Sequence, residues 1–354
     1  MNNLVKLQNA VRDAEIDALM VTSPVNRHYA TGFPSSAGIV IIAPGKAWFF
    51  TDSRYFEAAS NAVKGAAVRQ IDSENTYAKL VNAVCAEQGI KSLGFEEEAV
   101  TYKEYAGWSE KFTAALTPSQ QLLTDARAVK SRGELDKMIV AQRISEKSFL
   151  DILPMVSESI TERELANELV RAFLKNGADD TSFDPIVVSG ERSSMPHGVP
   201  MDRKIRPGFL TIDFGVKKDG WCSDTTRTLC VGRATDEMKK VYDTVLCAQL
   251  AGIAAARAGV RGRDVHAAGA RVIADAGYGE YFGHGFGHGL GLEVHEAPTA
   301  SPTFEGTLPA GAVISAEPGI YLPGRFGVRI EDVIYITQTG CEDITELPKE
   351  LLEL

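Results

Sequence analysis

The sequence predicts two folded domains, an α/β domain over residues 1–126 and an α+β domain over residues 127–354, and three observations carry that reading. At 354 residues the chain exceeds the usual size of one compact domain. In its first third, short apolar runs alternate with helical patterns, as a sheet covered by helices requires. At Ser131 a Ser-Arg-Gly-Glu capping box opens a new helix, and a different order of elements begins.

Residues 1–21 read as an amphipathic helix running into a strand. Strands are expected at 18–21, 38–43 and 47–50, and helices at 55–63 and 77–87. Asp52, Arg54 and Tyr55 make a polar knot at a strand end, read as structural. Beyond Ser131, a second capping box at Thr161 and Glu164 opens a helix with Leu165, Leu169, Val170 and Phe173 on one face, ending at Gly177. Strand-like runs follow at 183–189, 209–215 and 221–231. Helical patterns then recur at 235–258 and 263–276, with strands at 312–316 and 328–337, so the second domain reads as a duplicated α+β unit by element order.

With 47 acidic against 37 basic residues, the net charge of −10 disfavours nucleic acid as a partner and accords with divalent cations. The 5 cysteines are an odd number without CxxC spacing, which argues against a disulfide framework or a thiolate zinc site and for a reducing, cytoplasmic compartment. Neither a signal-peptide core nor a membrane span of roughly 18 apolar residues is expected.

The chemistry concentrates in three segments. A hairpin is expected between 212–215 and 223–227; folded about Lys218 and Asp219, it sets Asp213 opposite Asp224. Opposed side chains lie about 5 Å apart, where two carboxylates repel unless a cation sits between them. A second hairpin folded about Gly324 sets Glu317 opposite Glu331, with Pro318 and Gly319 as candidates for a bulge. Between the two hairpins, Phe282–Glu296 carries His284, His288 and His295 among five glycines, which permit close backbone approach and φ above zero.

Four carboxylates and one imidazole make an oxygen-rich set suited to Mn²⁺ or Co²⁺, and five ligands fit two ions about 3.5–4 Å apart with a water ionised near neutral pH. His197, on a loop after a strand, is placed to donate to a carbonyl oxygen. Arg329, two residues before Glu331 on the same strand face, is placed to hold the carboxylates. His28 and His266 read as structural.

These residues resemble the pita-bread-fold metallopeptidases, the group of methionine aminopeptidase, aminopeptidase P and prolidase. IDFG with SDTTR, GHGFGHGLGLEVHE, SAEPGIY and GVRIED occur in the family's order, and the separate N-terminal domain looks like that of aminopeptidase P and prolidase. The resemblance implies that Asp213 holds one metal, His288 and Glu317 the other, and that Asp224 and Glu331 bridge them. It places His197 and His295 beside the scissile carbonyl, makes Glu317 the proton shuttle and leaves His284 either behind the ligands or facing substrate. It further implies hydrolysis of Xaa-Pro bonds in peptides or dipeptides by a metal-bridged hydroxide, two ions with Mn²⁺ first and Co²⁺ or Zn²⁺ as alternatives, and a homodimer. A non-catalytic pita-bread binding module is the alternative, disfavoured by retention of all five candidate ligands. Thr299 follows the His295–Pro298 run where some prolidases carry a carboxylate-gripping arginine, which leaves aminopeptidase and dipeptidase activity level.

Overall fold

The computed structural model describes residues 2–354, and the chain separates into two compact units, Met1–Arg127 and Ala128–Leu354. The first unit runs α1 (Asn3–Asp13), β1 (Ala18–Val21), α2 (Pro24–Thr31), β2 (Ile39–Ala43), β3 (Lys46–Thr51), α3 (Ser53–Ala62), β4 (Ala67–Gln70), α4 (Tyr77–Gln88), β5 (Ser92–Phe95), α5 (Tyr102–Lys111), β6 (Ala115–Pro118) and α6 (Gln120–Ala128). Its strands form one mixed sheet in the order β4-β3-β2-β1-β5-β6. The central β1 and β2 are buried at every position, the state their unbroken apolar runs require. The unpredicted β4 and β6 lie at the two edges and are only partly buried, so their sequences carry little apolar pattern. Helix α5, unpredicted as well, buries no residue and shows no apolar stripe; a Thr101–Glu104 capping box opens it. The polar knot is local: Asp52 caps α3 and pairs with Arg54 at 2.6 Å.

The second unit opens with α7 (Arg132–Ile152) and α8 (Glu162–Lys175), both started by the expected capping boxes. Leu165, Leu169 and Phe173 of α8 are buried against β8 (Ile186–Ser189) and its neighbours, with Val170 half-buried beside them. The chain continues as β9 (Gly208–Phe214), β10 (Val216–Lys218), β11 (Trp221–Cys222) and β12 (Thr225–Val231), the short β7 (Asp180–Thr181) pairing with β10. Next come α9 (Asp236–Ala255), α10 (Gly262–Asp275), β13 (Gly287–Gly289), β14 (Glu296–Ala300), β15 (Val313–Ala316), β16 (Gly319–Leu322), β17 (Phe326–Arg329), β18 (Asp332–Ile336) and β19 (Cys341–Asp343). Among the described residues, no helix is long and apolar enough to cross a membrane.

Helix, helix, strands occurs twice, and the two halves share a device. In one, β9 lies between β8 and β12, and the hairpin leaves that sheet to continue as β10–β11. In the other, β15 lies between β13 and β18, and the hairpin leaves that sheet to continue as β16–β17. Each hairpin therefore has a step where it passes from one sheet to another.

The first hairpin corrects the expected register. It turns at Asp219 and Gly220, so Asp213 faces Thr226 rather than Asp224. The reason is backbone geometry: a two-residue hairpin turn twists correctly with positive φ at both central residues, and Asp219 (φ 50) and Gly220 (φ 83) supply it where Lys218 would be strained. The second hairpin keeps the expected register. Ala316 pairs with Asp332 on one side of the step and Gly319 with Arg329 on the other, so Pro318 introduces no slip and Glu317 stands across from Glu331.

Candidate active site

The four carboxylates sit on β9 or at the steps of the two hairpins. Asp213 lies on β9, Asp224 just before β12, Glu317 just after β15 and Glu331 between β17 and β18. Backbone bonds tie the second hairpin to the first and to the segment before β13, the Glu331 N–H donating to the Thr226 carbonyl at 3.1 Å and the Glu317 N–H to the Phe286 carbonyl at 2.8 Å. His288 is on β13. Its Nδ1–H donates to the Gly289 carbonyl at 3.1 Å, which turns Nε2 inward to 3.2 Å from Glu317 and 3.6 Å from Asp224.

The glycines around His288 act through space, not through unusual φ. None from Gly283 to Gly291 has a positive φ, contrary to that half of the expectation. A Cβ at Gly287 would lie 1.9 Å from the Ser315 carbonyl oxygen, one at Gly289 2.3 Å from that of Glu296, and one at Gly291 2.3 Å from the Glu296 carboxylate. Alternate glycines let β13 and the residues after it lie flush against their neighbours, and this close approach seats His288.

Arg329 organises the site from beneath. Its Nη2 donates to Asp213 Oδ2 at 2.6 Å, Nε to the Thr226 hydroxyl at 3.0 Å, and Nη1 to the Tyr321 hydroxyl at 3.0 Å and the Pro196 carbonyl at 3.2 Å. The Thr226 hydroxyl in turn donates to Glu331 Oε2 at 2.7 Å. Tyr321, accepting from Arg329, donates to His284 Nε2 at 3.0 Å, while His284 Nδ1–H donates to the Gly285 carbonyl at 2.8 Å. Both His284 nitrogens are thus engaged, and ring carbons are what it offers a substrate.

The electrostatics are those of crowded acids out of water. Burial, reinforced by the neighbouring carboxylates, holds Asp224 and Glu331 well above the ordinary carboxylate range. Asp213 is raised as well, burial outweighing the Arg329 cation. Burial disfavours the His288 cation, but the Glu317 hydrogen bond and charge prevail and bring His288 to about 9. The same pairing prevails over burial at Glu317 and brings it to about 2.

This arrangement fits a bound cation. Asp213 and Glu331 each have one oxygen held by protein, while Asp213 Oδ1 and Glu331 Oε1 are buried without a hydrogen-bond partner among the described residues. Ligand atoms of Asp224, His288 and Glu331 lie within 4.8 Å of one another. All five predicted ligands line a cavity of about 580 Å³, as do His197, His284, His295 and Arg329. His197 and His295 are exposed, and the His295 ring lies 4.2 Å from that of His288. His266 stacks on Phe282 away from the cavity lining, and His28 lies on α2. Thr226 and Tyr321 escaped the sequence reading, although alternation puts Tyr321 on the same face as Glu317.

An α/β unit followed by a duplicated α+β unit, with four acids and a histidine around one cavity, defines a metal-dependent hydrolase, and comparison with known proteins makes the class definite. The chain belongs to metallopeptidase family M24: the family model matches residues 136–338, and the creatinase/prolidase N-terminal domain model matches residues 4–129. An uncharacterised peptidase of Bacillus subtilis is 43% identical over 353 residues, 99% of each chain. The solved Xaa-Pro dipeptidase from Bacillus anthracis matches with TM-score 0.95 at 40% identity over 99% of both chains. The X-Pro aminopeptidase from Thermotoga maritima matches with TM-score 0.92 at 34% identity, over 98% of this chain and all of its own. The second unit accordingly has the pita-bread fold, and the chain is a metallopeptidase.

Proposed function

We propose that this metallopeptidase hydrolyses the Xaa-Pro bond at the N-terminus of peptides or in dipeptides, using two divalent ions, Mn²⁺ in first place. The observation that carries the reading is the pair of bare, buried oxygens on Asp213 and Glu331, set among Asp224, His288 and Glu317 at one cavity. Asp213 would hold one ion and His288 with Glu317 the other, Asp224 and Glu331 reaching both. Bound there, the ions would polarise the scissile carbonyl and supply a nucleophilic water at neutral pH.

The chain's own residues do the rest. His197 and His295 donate to the carbonyl oxygen as charge builds on it. Glu317 takes the proton of the attacking water and delivers it to the proline nitrogen, which must be protonated to leave. Arg329 fixes Asp213 and, through Thr226, Glu331. Phe183, Pro185, Ile186 and Val294 line the same cavity and offer an apolar surface to a ring that lacks an N–H. The Bacillus anthracis Xaa-Pro dipeptidase and the Thermotoga maritima X-Pro aminopeptidase support proline as that ring. The five free thiols favour a cytoplasmic setting, and the resemblance favours a homodimer.

The test is a matched substrate series. Ala-Pro and Ala-Pro-Xaa peptides are expected to be cleaved before proline at least about tenfold faster than Ala-Ala counterparts, about 1.4 kcal/mol of discrimination. Equal rates with metal saturating would leave a metallopeptidase and remove the proline preference.

A further inference from the structure

His197 has no hydrogen bond to its ring among the described residues, and it is exposed on the loop between Ser189 at the end of β8 and Met201. Its neighbours Met195 and Val199 are 52% and 69% exposed, while Gly198 is buried close against Val188, so the backbone beside His197 is seated on β8 and the ring itself stands out. A histidine in that position points where its backbone puts it. The question is therefore what holds the backbone, and the answer is a buried carboxylate outside the cavity lining.

Glu162, the first residue of α8, is fully buried. Its Oε1 accepts from the Ser189 N–H at 2.9 Å and the Ser189 hydroxyl at 3.0 Å, where the loop begins. Its Oε2 accepts from Arg192 Nη1 inside the loop and from the Met201 N–H at 3.3 Å, where the loop ends. Arg192, itself buried, spends its other arm on the Val199 carbonyl at 2.7 Å, two residues past His197. One carboxylate and one guanidinium thus pin the loop at its start, its middle and its end. On the opposite side, Arg329 reaches the Pro196 carbonyl and the Gly327 N–H donates to the Ser193 hydroxyl at 2.9 Å, so the loop is clamped between α8 and β17.

We propose that the Glu162–Arg192 pair is the positioning device for His197, setting the distance from its imidazole to the substrate carbonyl while touching neither substrate nor metal ligand. The inference rests on the reading of His197 as a donor to that carbonyl. A buried ion pair is a weak source of stability compared with apolar side chains of the same volume, but its directional bonds fix a geometry that apolar packing would leave loose. Misplacement of a reacting group by about 1 Å costs on the order of a hundredfold in rate, so a loop that carries such a group needs its backbone held.

The experiment is a double-mutant cycle on the metal-loaded full chain, with kcat, KM and metal stoichiometry as readouts. His197→Ala is expected to lower kcat about a hundredfold, the loss typical of one missing oxyanion donor. Removing one member of a buried pair strands the other charge, so the pair is removed together as E162Q/R192M. Arg192→Lys serves as a second variant that folds with its charge intact but lacks the fork joining Glu162 to Val199. Both are expected to lower kcat about tenfold with KM and metal stoichiometry unchanged. In the His197→Ala background both are expected to have no further effect on kcat, because the group they position is gone. Losses that multiply in that background, or full kcat in both variants, would overturn the positioning role while leaving His197 its own. Wild-type kcat in His197→Ala would instead remove the donor reading, and the proposal with it.

Discussion

At the scale of single residues, the site is a set of acids that are unfavourable together until a cation arrives. His288 would supply its only imidazole ligand, and its Nδ1 contact with Gly289 orients it. His288→Ala is expected to weaken metal binding by at least about tenfold and to lower turnover in step, with the fold unchanged by circular dichroism. His284→Ala is expected to leave metal stoichiometry intact, since its ring is tied to Tyr321 and Gly285; metal loss there and not at position 288 would invert the assignment. Protonation follows the same logic. A cation must displace the proton that Glu317 keeps on His288 up to about 9, and burial with neighbouring carboxylates raises Asp224 and Glu331 in the direction that favours protons over bare charge. Metal binding should therefore release protons, and affinity should fall as pH drops from about 9 towards about 6. Titration calorimetry in buffers of different ionisation enthalpy measures this directly, and a flat affinity across that range would reject it.

At the scale of elements, closeness of backbones decides the geometry. Gly287→Ala is expected to push β13 away from β15, since its Cβ would meet the Ser315 carbonyl at 1.9 Å. Overpacking of this kind costs about 1–3 kcal/mol, and here it also moves His288, so a lower melting temperature should come together with reduced metal occupancy. A variant with native occupancy would show that β13 tolerates the shift. The same elements show what the sequence could and could not convey. The register of β16–β17 was readable because Gly324 marks its turn and Glu317 and Glu331 fall at equal distances from it. That of β9–β12 lies two residues from the expected one because the turn falls at Asp219–Gly220, where positive φ is available, and not at Lys218–Asp219. A slip of two residues preserves the face a side chain points to, which is why Asp213 and Asp224 still line one cavity. Thr226 and Tyr321 were missed for a different reason: a hydroxyl that relays a hydrogen bond between ligands has no composition of its own to mark it. The edge strands β4 and β6 lacked pattern because they are only partly buried.

At the scale of the whole molecule, removing metal should abolish peptidase activity and lower the melting temperature, and about two equivalents of Mn²⁺ or Co²⁺ should restore both. Full activity in protein shown by elemental analysis to be metal-free would reject the dinuclear reading. Light scattering is expected to give twice the 38.2 kDa chain mass at micromolar protein. The stepped hairpins add a condition on that dimer. One hairpin brings Asp213 and Asp224, the other Glu317 and Glu331, and β13 between them in sequence brings His288, so neither half of the second unit holds a complete ligand set. Joined in one chain, the two halves meet at a fixed effective concentration, and assembling the site is an intramolecular event. Occupancy should then depend on free metal alone: diluting the protein at constant free Mn²⁺ until its subunits part should leave the number of ions per chain where it was.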